Sequence, residues 1–453
     1  MRGEERPARP VGVAVVGLGG AVATTAVAGV ELLKLGRVGT EGLPLADLPA
    51  ELAGDLADYG DLVFAGWNLS PDDLRRAAEE HRVLPPAQLA PAAGALAGLR
   101  PWPAVGSAGF CRNIDGENRI AAPSHRAAVE VIREDLRRFR REGREGDAGA
   151  LDGLVMVNLA STERRVDPAL PQWATIDRFE AALDADDPEI GPAMLYAYAA
   201  LRERVPYVNF TPSVAVDIPA LTELAACEGV PVGGKDGKTG QTMLKTVIAP
   251  ALRTRALRVD GWYSANILGN RDGLALDDKD SLASKITTKG SALDHILGYR
   301  VENHIVDIRY YRPRGDNKES WDNIDVTGFL GQPMQIKVNF LCRDSILAAP
   351  LTVELARLLD LAGRRGCAGV QEQLGLFFKA PMTAQPEAVP EHALHRQEAQ
   401  LLAWLASMHA REGVAGGGAS ADQAIALPLA PASLAANGVT AANVDGAGGD
   451  GGA

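Results

Sequence analysis

Nine of the ten lysines in this 453-residue chain lie between Lys235 and Lys379, while 36 arginines carry almost all the positive charge elsewhere. Arginine stays protonated in a protein. Lysine is a compact ammonium that can lose its proton when desolvated, so a chain that charges its surface with arginine has another use for lysine. Lys285 and Lys289 stand four apart in SLASKITTKG, on one face of any helix formed there, where like charges repel by about 0.2–0.5 kcal/mol. Their neighbours three and four positions away include Ser281, Leu282, Thr288, Ala292 and Leu293. With no acid among them, the charge must be balanced by water, by distant carboxylates or by an anionic ligand, of which the ligand is the favoured reading. Ammonium groups in a closed site stabilise oxyanions, and one with a depressed pKa also moves protons.

Other segments gather polar groups around glycines. GGKDGKTGQT (233–242) has the glycines, Lys238 and Thr239 of a phosphate loop without the P-loop spacing, and NILGNRDG (266–273) packs two amides, an arginine and an aspartate together. RPRGDNK (312–318) and CRDS (342–345) each set an aspartate beside a basic or hydroxyl residue. Lys379 follows GLFF, an apolar approach expected to desolvate its amine and lower its pKa. Near the N-terminus, Gly17, Gly19 and Gly20 sit between an apolar run, VGVAVV, and a helical stretch. There backbone amides can approach a pyrophosphate, although the third glycine of the usual dinucleotide fingerprint is absent. Asn68 in GWN occupies the place of the acid that usually binds the adenosine ribose. An amide can bond a ribose hydroxyl but does not repel a 2′-phosphate.

These residues need elements to hold them. VGVAVV reads as a strand buried on both faces, and the apolar run to Val30, broken by five glycines, reads as strand, turn and helix rather than a membrane span. DLVFAGWNLSPDDL adds a strand and a helix start, with Ser70 as N-cap, Pro71 in the first turn and Asp73 as capping acid. LDGLVMVNLA (151–160) and VPYVNFTPS (205–213) repeat strand and polar loop, and AAVEVIREDLRRFRREGRE reads as a solvated helix face. This alternation predicts an α/β doubly wound domain to about position 240. RVDGWYSANIL, HIVDIRYY and PMQIKVNFLC then predict an α+β unit with an open sheet, in which Ser291 and Asp294 form a capping box. Residues 346–364 read as an amphipathic helix, and HRQEAQLLAWLASMH as the last one. The Ala/Gly-rich tail from about 414 is expected to be disordered.

A net charge of −12 and a pI near 5.2 argue against nucleic-acid or anionic-membrane partners. Cys111, Cys227, Cys342 and Cys367 form no metal-ligand spacing and read as buried thiols in a reducing cytoplasm.

In the order GGKDGKTGQT, NILGNRDG, SKITTK, GDNK, CRDSILAAP and FFKAP, the chain resembles the myo-inositol-1-phosphate synthase family from about Val11 to His395, most densely from Tyr207 to Met382. The resemblance implies a Rossmann-like doubly wound sheet built from both ends of the chain (8–241 and 345–412). It implies an inserted α+β catalytic and tetramerisation domain (242–344), with residues 413–453 as the disordered tail. It also implies a cytoplasmic homotetramer that converts glucose 6-phosphate to an inositol monophosphate, with NAD regenerated in each turnover. Catalytic roles then fall on Lys285, Lys289, Lys318, Lys379 and Asp236, and substrate contacts on Asn266, Asn270, Asp272 and Asp316. Cofactor contacts fall on Gly17, Gly19, Gly20, Ala21, Asn68, Thr162, Thr239, Asp344 and Ser345. Asn68 departs from the family's aspartate, as Leu159 and Ser161 depart from more polar residues, and no residue identifies the cation that some members use. Three alternatives stay open: the same mechanism on another sugar phosphate such as fructose 6-phosphate, a plain dehydrogenase, and a non-catalytic cofactor-binding protein.

Overall fold

The computed structural model describes residues 8–111, 114–143, 149–269, 292–385 and 387–414. Val11–Val16 is buried along its whole length, as an apolar strand must be when it has neighbours on both sides and cover on both faces. As β1 it pairs in parallel with β2 (Leu62–Trp67) and with β3 (Gly153–Asn158). The sheet continues through β4 (Tyr207–Asn209) and β5 (Pro231–Gly234) to β10 (Gly369–Val370), in the order β10-β5-β4-β3-β1-β2. The chain crosses from β2 to β3 on the other side of β1, so the loops leaving β1 and β3 diverge and open a crevice at the carboxyl ends of the strands.

One face of this sheet is covered by the helices His125–Glu142 and Pro192–Arg202, the other by Ala21–Lys34 and Asp344–Arg364. The expected doubly wound architecture is present, with elements from both ends of the chain in its layers. Between them stands a second sheet, β7-β6-β8-β9, in which β6 (Arg258–Leu268) runs parallel to β7 (Asn303–Tyr310) and antiparallel to β8 (Asn317–Thr327), and β8 is antiparallel to β9 (Pro333–Arg343). Ala249 and Leu252 of the helix Gly240–Thr254 pack on one face of it with Trp262, Ile324 and Val326. The opposite face is open and exposes Tyr263, Ile305 and Trp321.

Four local expectations are corrected. The helix after β2 is Leu74–His81 and its N-cap is Asp73, whose side chain accepts from the Arg76 amide; Ser70 instead donates to Asp72 in the loop before it. Pro71 thus lies outside the helix. Replacing Asp73 by alanine is expected to cost about 1 kcal/mol in denaturant unfolding, and Ser70→Ala clearly less. The charged helix His125–Glu142 is not simply a solvated face: it buries Val129, Ile132, Leu136 and Phe139, and Asp135 accepts from Trp67 Nε1 at 2.8 Å. Asp344–Arg364 is not amphipathic but nearly enclosed, with every residue from Thr352 to Ala362 buried. Its charges are matched inside, Glu354 by Arg357 at 2.6 Å and by the Tyr59 hydroxyl at 2.7 Å, Asp360 by Arg9 at 2.7 Å. Of the four cysteines, all free, only Cys342 is buried and Cys227 is exposed. Ser291, of the expected capping box, lies outside the described residues. Among these residues no helix is long and apolar enough to cross a membrane.

Candidate active site

After β1 the chain turns through Gly17, Leu18, Gly19 and Gly20 into the helix Ala21–Lys34, which no side chain caps. Gly17 has φ 87°, and a Cβ there would stand 3.0 Å from the Leu159 carbonyl oxygen and 3.1 Å from the Ala160 backbone. Only glycine fits where the two chains leave β1 and β3 side by side, before their loops diverge. A Cβ on Gly19 would lie 2.5 Å from Asn68 Nδ2. The Trp67 carbonyl accepts from the Gly17 and Leu18 amides, and His81 Nε2 lies 2.8 Å from the Gly19 carbonyl oxygen. The result is a helix N-terminus with bare amides, into which the pyrophosphate of a dinucleotide fits.

This turn forms one wall of a cavity of about 260 Å³. Asn68 and Ser70, Leu159 to Thr162, Phe210 to Pro212, and Asp236, Gly237 and Thr239 line it in the order of the strands they follow, and Lys318, Asp344, Ser345 and Lys379 close it. The Lys379 side chain is 5% exposed and its Nζ lies 2.7 Å from Asp236 Oδ1. The backbone fixes the pair: Asp236 has φ 59°, its amide donates to the Thr211 carbonyl at 3.0 Å, and its own carbonyl accepts from the Lys379 amide at 2.7 Å. A left-handed aspartate held on both sides is a strained feature of the kind that functional sites retain. Lys318 Nζ lies 3.3 Å from Asp344 Oδ1, which also accepts from Thr239 Oγ1 at 3.0 Å. Asp316 accepts from Ser345 Oγ at 2.6 Å and so supports the cavity wall from behind.

Of the residues singled out from sequence, Gly17, Gly19, Gly20, Ala21, Asn68, Thr162, Asp236, Thr239, Lys318, Asp344, Ser345 and Lys379 therefore meet around one space. Asn266 and Asp316 are buried but do not line it; Asn266 pairs in register with Ser320, two residues from Lys318. Asn270, Asp272, Lys285 and Lys289 lie outside the described residues. Lys379 is buried as its apolar approach predicts, yet it has a carboxylate partner. Burial pushes Lys238 down to about 7 and Lys245 down to about 8. Sequence reading also passed over Glu163, which burial raises to about 8 while the Ala193 amide donates to it. It passed over Asn158 and Asn209 as well, which end β3 and β4 and bond each other at 3.2 Å. An asparagine closing two successive buried strands was the available signal. Among the described residues no group of three or more His, Cys, Asp or Glu could hold a metal ion.

An NAD-binding family model described as myo-inositol-1-phosphate synthase matches residues 48–406. Inositol-3-phosphate synthase 1 of Bacteroides thetaiotaomicron is 41% identical over 416 residues, 88% of this chain and 95% of that protein. The chain belongs to the myo-inositol-1-phosphate synthase family. Inositol-3-phosphate synthase of Saccharomyces cerevisiae is 28% identical over 379 residues, 75% of this chain and 69% of that protein. The crystal structure of inositol-3-phosphate synthase from Caenorhabditis elegans superposes with a TM-score of 0.80 at 26% identity, covering 88% of this chain and 86% of that one. In this member of the myo-inositol-1-phosphate synthase family, Asn68 Nδ2 donates to the Ser70 carbonyl at 3.3 Å. A carboxylate there would repel a 2′-phosphate. Asn68→Asp is expected to raise the preference for NAD over NADP about tenfold in direct binding titrations, a step of about 1.4 kcal/mol.

Proposed function

We infer that the protein cyclises D-glucose 6-phosphate to 1D-myo-inositol 3-phosphate by oxidation at C5, enolisation, intramolecular aldol closure and re-reduction. The observation that carries this reading is the convergence of two lysine–aspartate pairs, Lys379 with Asp236, both buried, and Lys318 with Asp344, partly buried, on the cavity walled by the glycine turn. The names of the relatives agree with it. NAD, when bound, takes up two electrons at the start of a turnover and returns them at its end.

Everything else falls to side chains. Oxidation at C5 releases the hydroxyl proton, enolisation removes a proton from C6, and closure places negative charge on the C1 oxygen, so each step needs a donor or a proton carrier at an oxygen. We assign Lys379 and Lys285 to the C5 and C1 oxygens, with Asp236 orienting the Lys379 ammonium. Lys318 and Lys289 are assigned to the phosphate and nearby hydroxyls.

The test is an end-point assay with glucose 6-phosphate, with and without added NAD, separating inositol phosphate from sugar phosphates while following NADH absorbance. Inositol phosphate without net NADH is the expected result. Accumulating NADH would instead indicate a dehydrogenase, and a cyclic product from fructose 6-phosphate alone would move the same mechanism to another sugar.

A further inference from the structure

Behind the cavity the second sheet inverts the usual distribution of polarity. On the face of β8 that meets the helix Gly240–Thr254, Ile324 and Val326 are followed toward the cavity by Asp322, Ser320 and Lys318, all buried. Opposite them on β6 stand Ser264 and Asn266, in register with Asp322 and Ser320. Gln241 and Lys245 of the helix lie above, 3% and 5% exposed.

Asp322 is the hub of this floor. Its Oδ1 accepts from Trp262 Nε1 and Ser264 Oγ, each at 2.7 Å, and its Oδ2 accepts from Gln241 Nε2 at 2.8 Å. The second Nε2 hydrogen of Gln241 reaches the Trp321 carbonyl at 3.5 Å. An ionised carboxylate and a carbonyl only accept, so the Gln241 amide can be oriented in one way. Its Oε1 must then face Asn266, which in turn must present Nδ2 to it, as it does. What remains is Asn266 Oδ1, buried and without a hydrogen-bond partner. A buried acceptor left open next to a site is costly unless a ligand completes it.

We propose that Asp322 is a positioning residue: through Gln241 it fixes the amide of Asn266 so that Asn266 offers an acceptor, and not a donor, to a hydroxyl of the bound sugar phosphate. This rests on the functional reading above. Lys245, which bonds His304 Nε2 at 2.8 Å, sets a positive charge near Asp322 and balances it inside the fold.

Asp322→Asn replaces one acceptor by a donor. If that donor meets Gln241, the two amides flip in turn and Asn266 presents Nδ2 to the substrate, with only the 3.5 Å bond from Gln241 to the Trp321 carbonyl given up. The experiment compares wild type and Asp322→Asn on glucose 6-phosphate and on its 2-, 3- and 4-deoxy analogues, by kcat/KM, or by Ki for an analogue not turned over. With glucose 6-phosphate the variant should lose roughly 10- to 100-fold. With the one analogue that lacks the contacted hydroxyl, the two proteins should agree within about threefold. A merely structural role would lower all four substrates alike, and that result, or no loss at all, overturns the proposal. Should Asp322→Asn fail to fold, Gln241→Met breaks the same link and must give the same pattern. Wild-type protein that makes no inositol phosphate overturns the functional reading and this role together, whereas wild-type turnover without the coupling overturns the role alone.

Discussion

Lys379→Ala is expected to lower kcat by about a thousandfold or more while leaving NAD binding within a few-fold of wild type. Donors aimed at a developing oxyanion contribute on the order of 10²–10³ each, and Lys379 is assigned both oxyanion stabilisation and proton transfer. The change should also destabilise. Lys379 is 5% exposed and Asp236 4% exposed, with 2.7 Å between them, so removing the ammonium takes the cationic partner at 2.7 Å from a buried carboxylate, at about 3–5 kcal/mol. The two effects separate in a second variant. Lys379→Ala combined with Asp236→Asn should regain most of the lost stability and none of the turnover, because the buried negative charge is gone but the donor is not restored. Denaturant midpoints and kcat for wild type, both single variants and the double variant test this. If the double variant is as unstable as Lys379→Ala, the pair is not what holds the loop; if Lys379→Ala turns over normally, the assignment falls.

That pair also marks what a sequence reader can and cannot see. Lys379 was legible from lysine usage and from the phenylalanines before it, and Asp236 from its glycines, but nothing in the chain joins two residues 143 positions apart. The glycine turn was legible because close backbone approach demands glycine at Gly17 whatever surrounds it. The polar floor was hidden for a physical reason. In β8 the alternation puts Lys318, Ser320 and Asp322 inside and leaves Trp321 39% exposed, the reverse of what a pattern of apolar-in and polar-out predicts. Local rules break where a fold gives up packing for a site. The helix Asp344–Arg364 misled in the same way, since Glu354, Arg357 and Asp360 read as a solvent face until their partners Tyr59 and Arg9 arrive from the distant N-terminal part.

Lys238→Met is the second large effect expected, and it is a gain of stability. Lys238 is 4% exposed and bonds Gln397 Oε1, with burial holding its pKa near 7 against about 10.5 for a solvated lysine. Between those two values the unfolded chain binds a proton that the folded chain does not. Wild-type stability must therefore rise with pH from about 7 to about 10, by up to about 1.4 kcal/mol per pH unit from this group. Below pH 7 both states are protonated and the full penalty is present. Methionine removes that penalty but leaves Gln397 Oε1 without its donor, at about 1–3 kcal/mol. A net gain of roughly 1–3 kcal/mol at pH 7 is expected, shrinking as pH rises and reversing near pH 10. Urea midpoints of both proteins at pH 7, 8, 9 and 10 measure the difference, and one that does not change with pH would show that Lys238 is not titrating in this range. His392, held down to about 4 by its burial and by His295 and Lys238, should rise in the variant. The penalty has a location that matters. Lys238 lies between Asp236, which holds Lys379, and Thr239, which bonds Asp344, and its amide donates to the Phe377 carbonyl at 2.8 Å. The loop that presents both lysine–aspartate pairs to the cavity thus carries a buried amine on its other side, and stability is given up where the site is built.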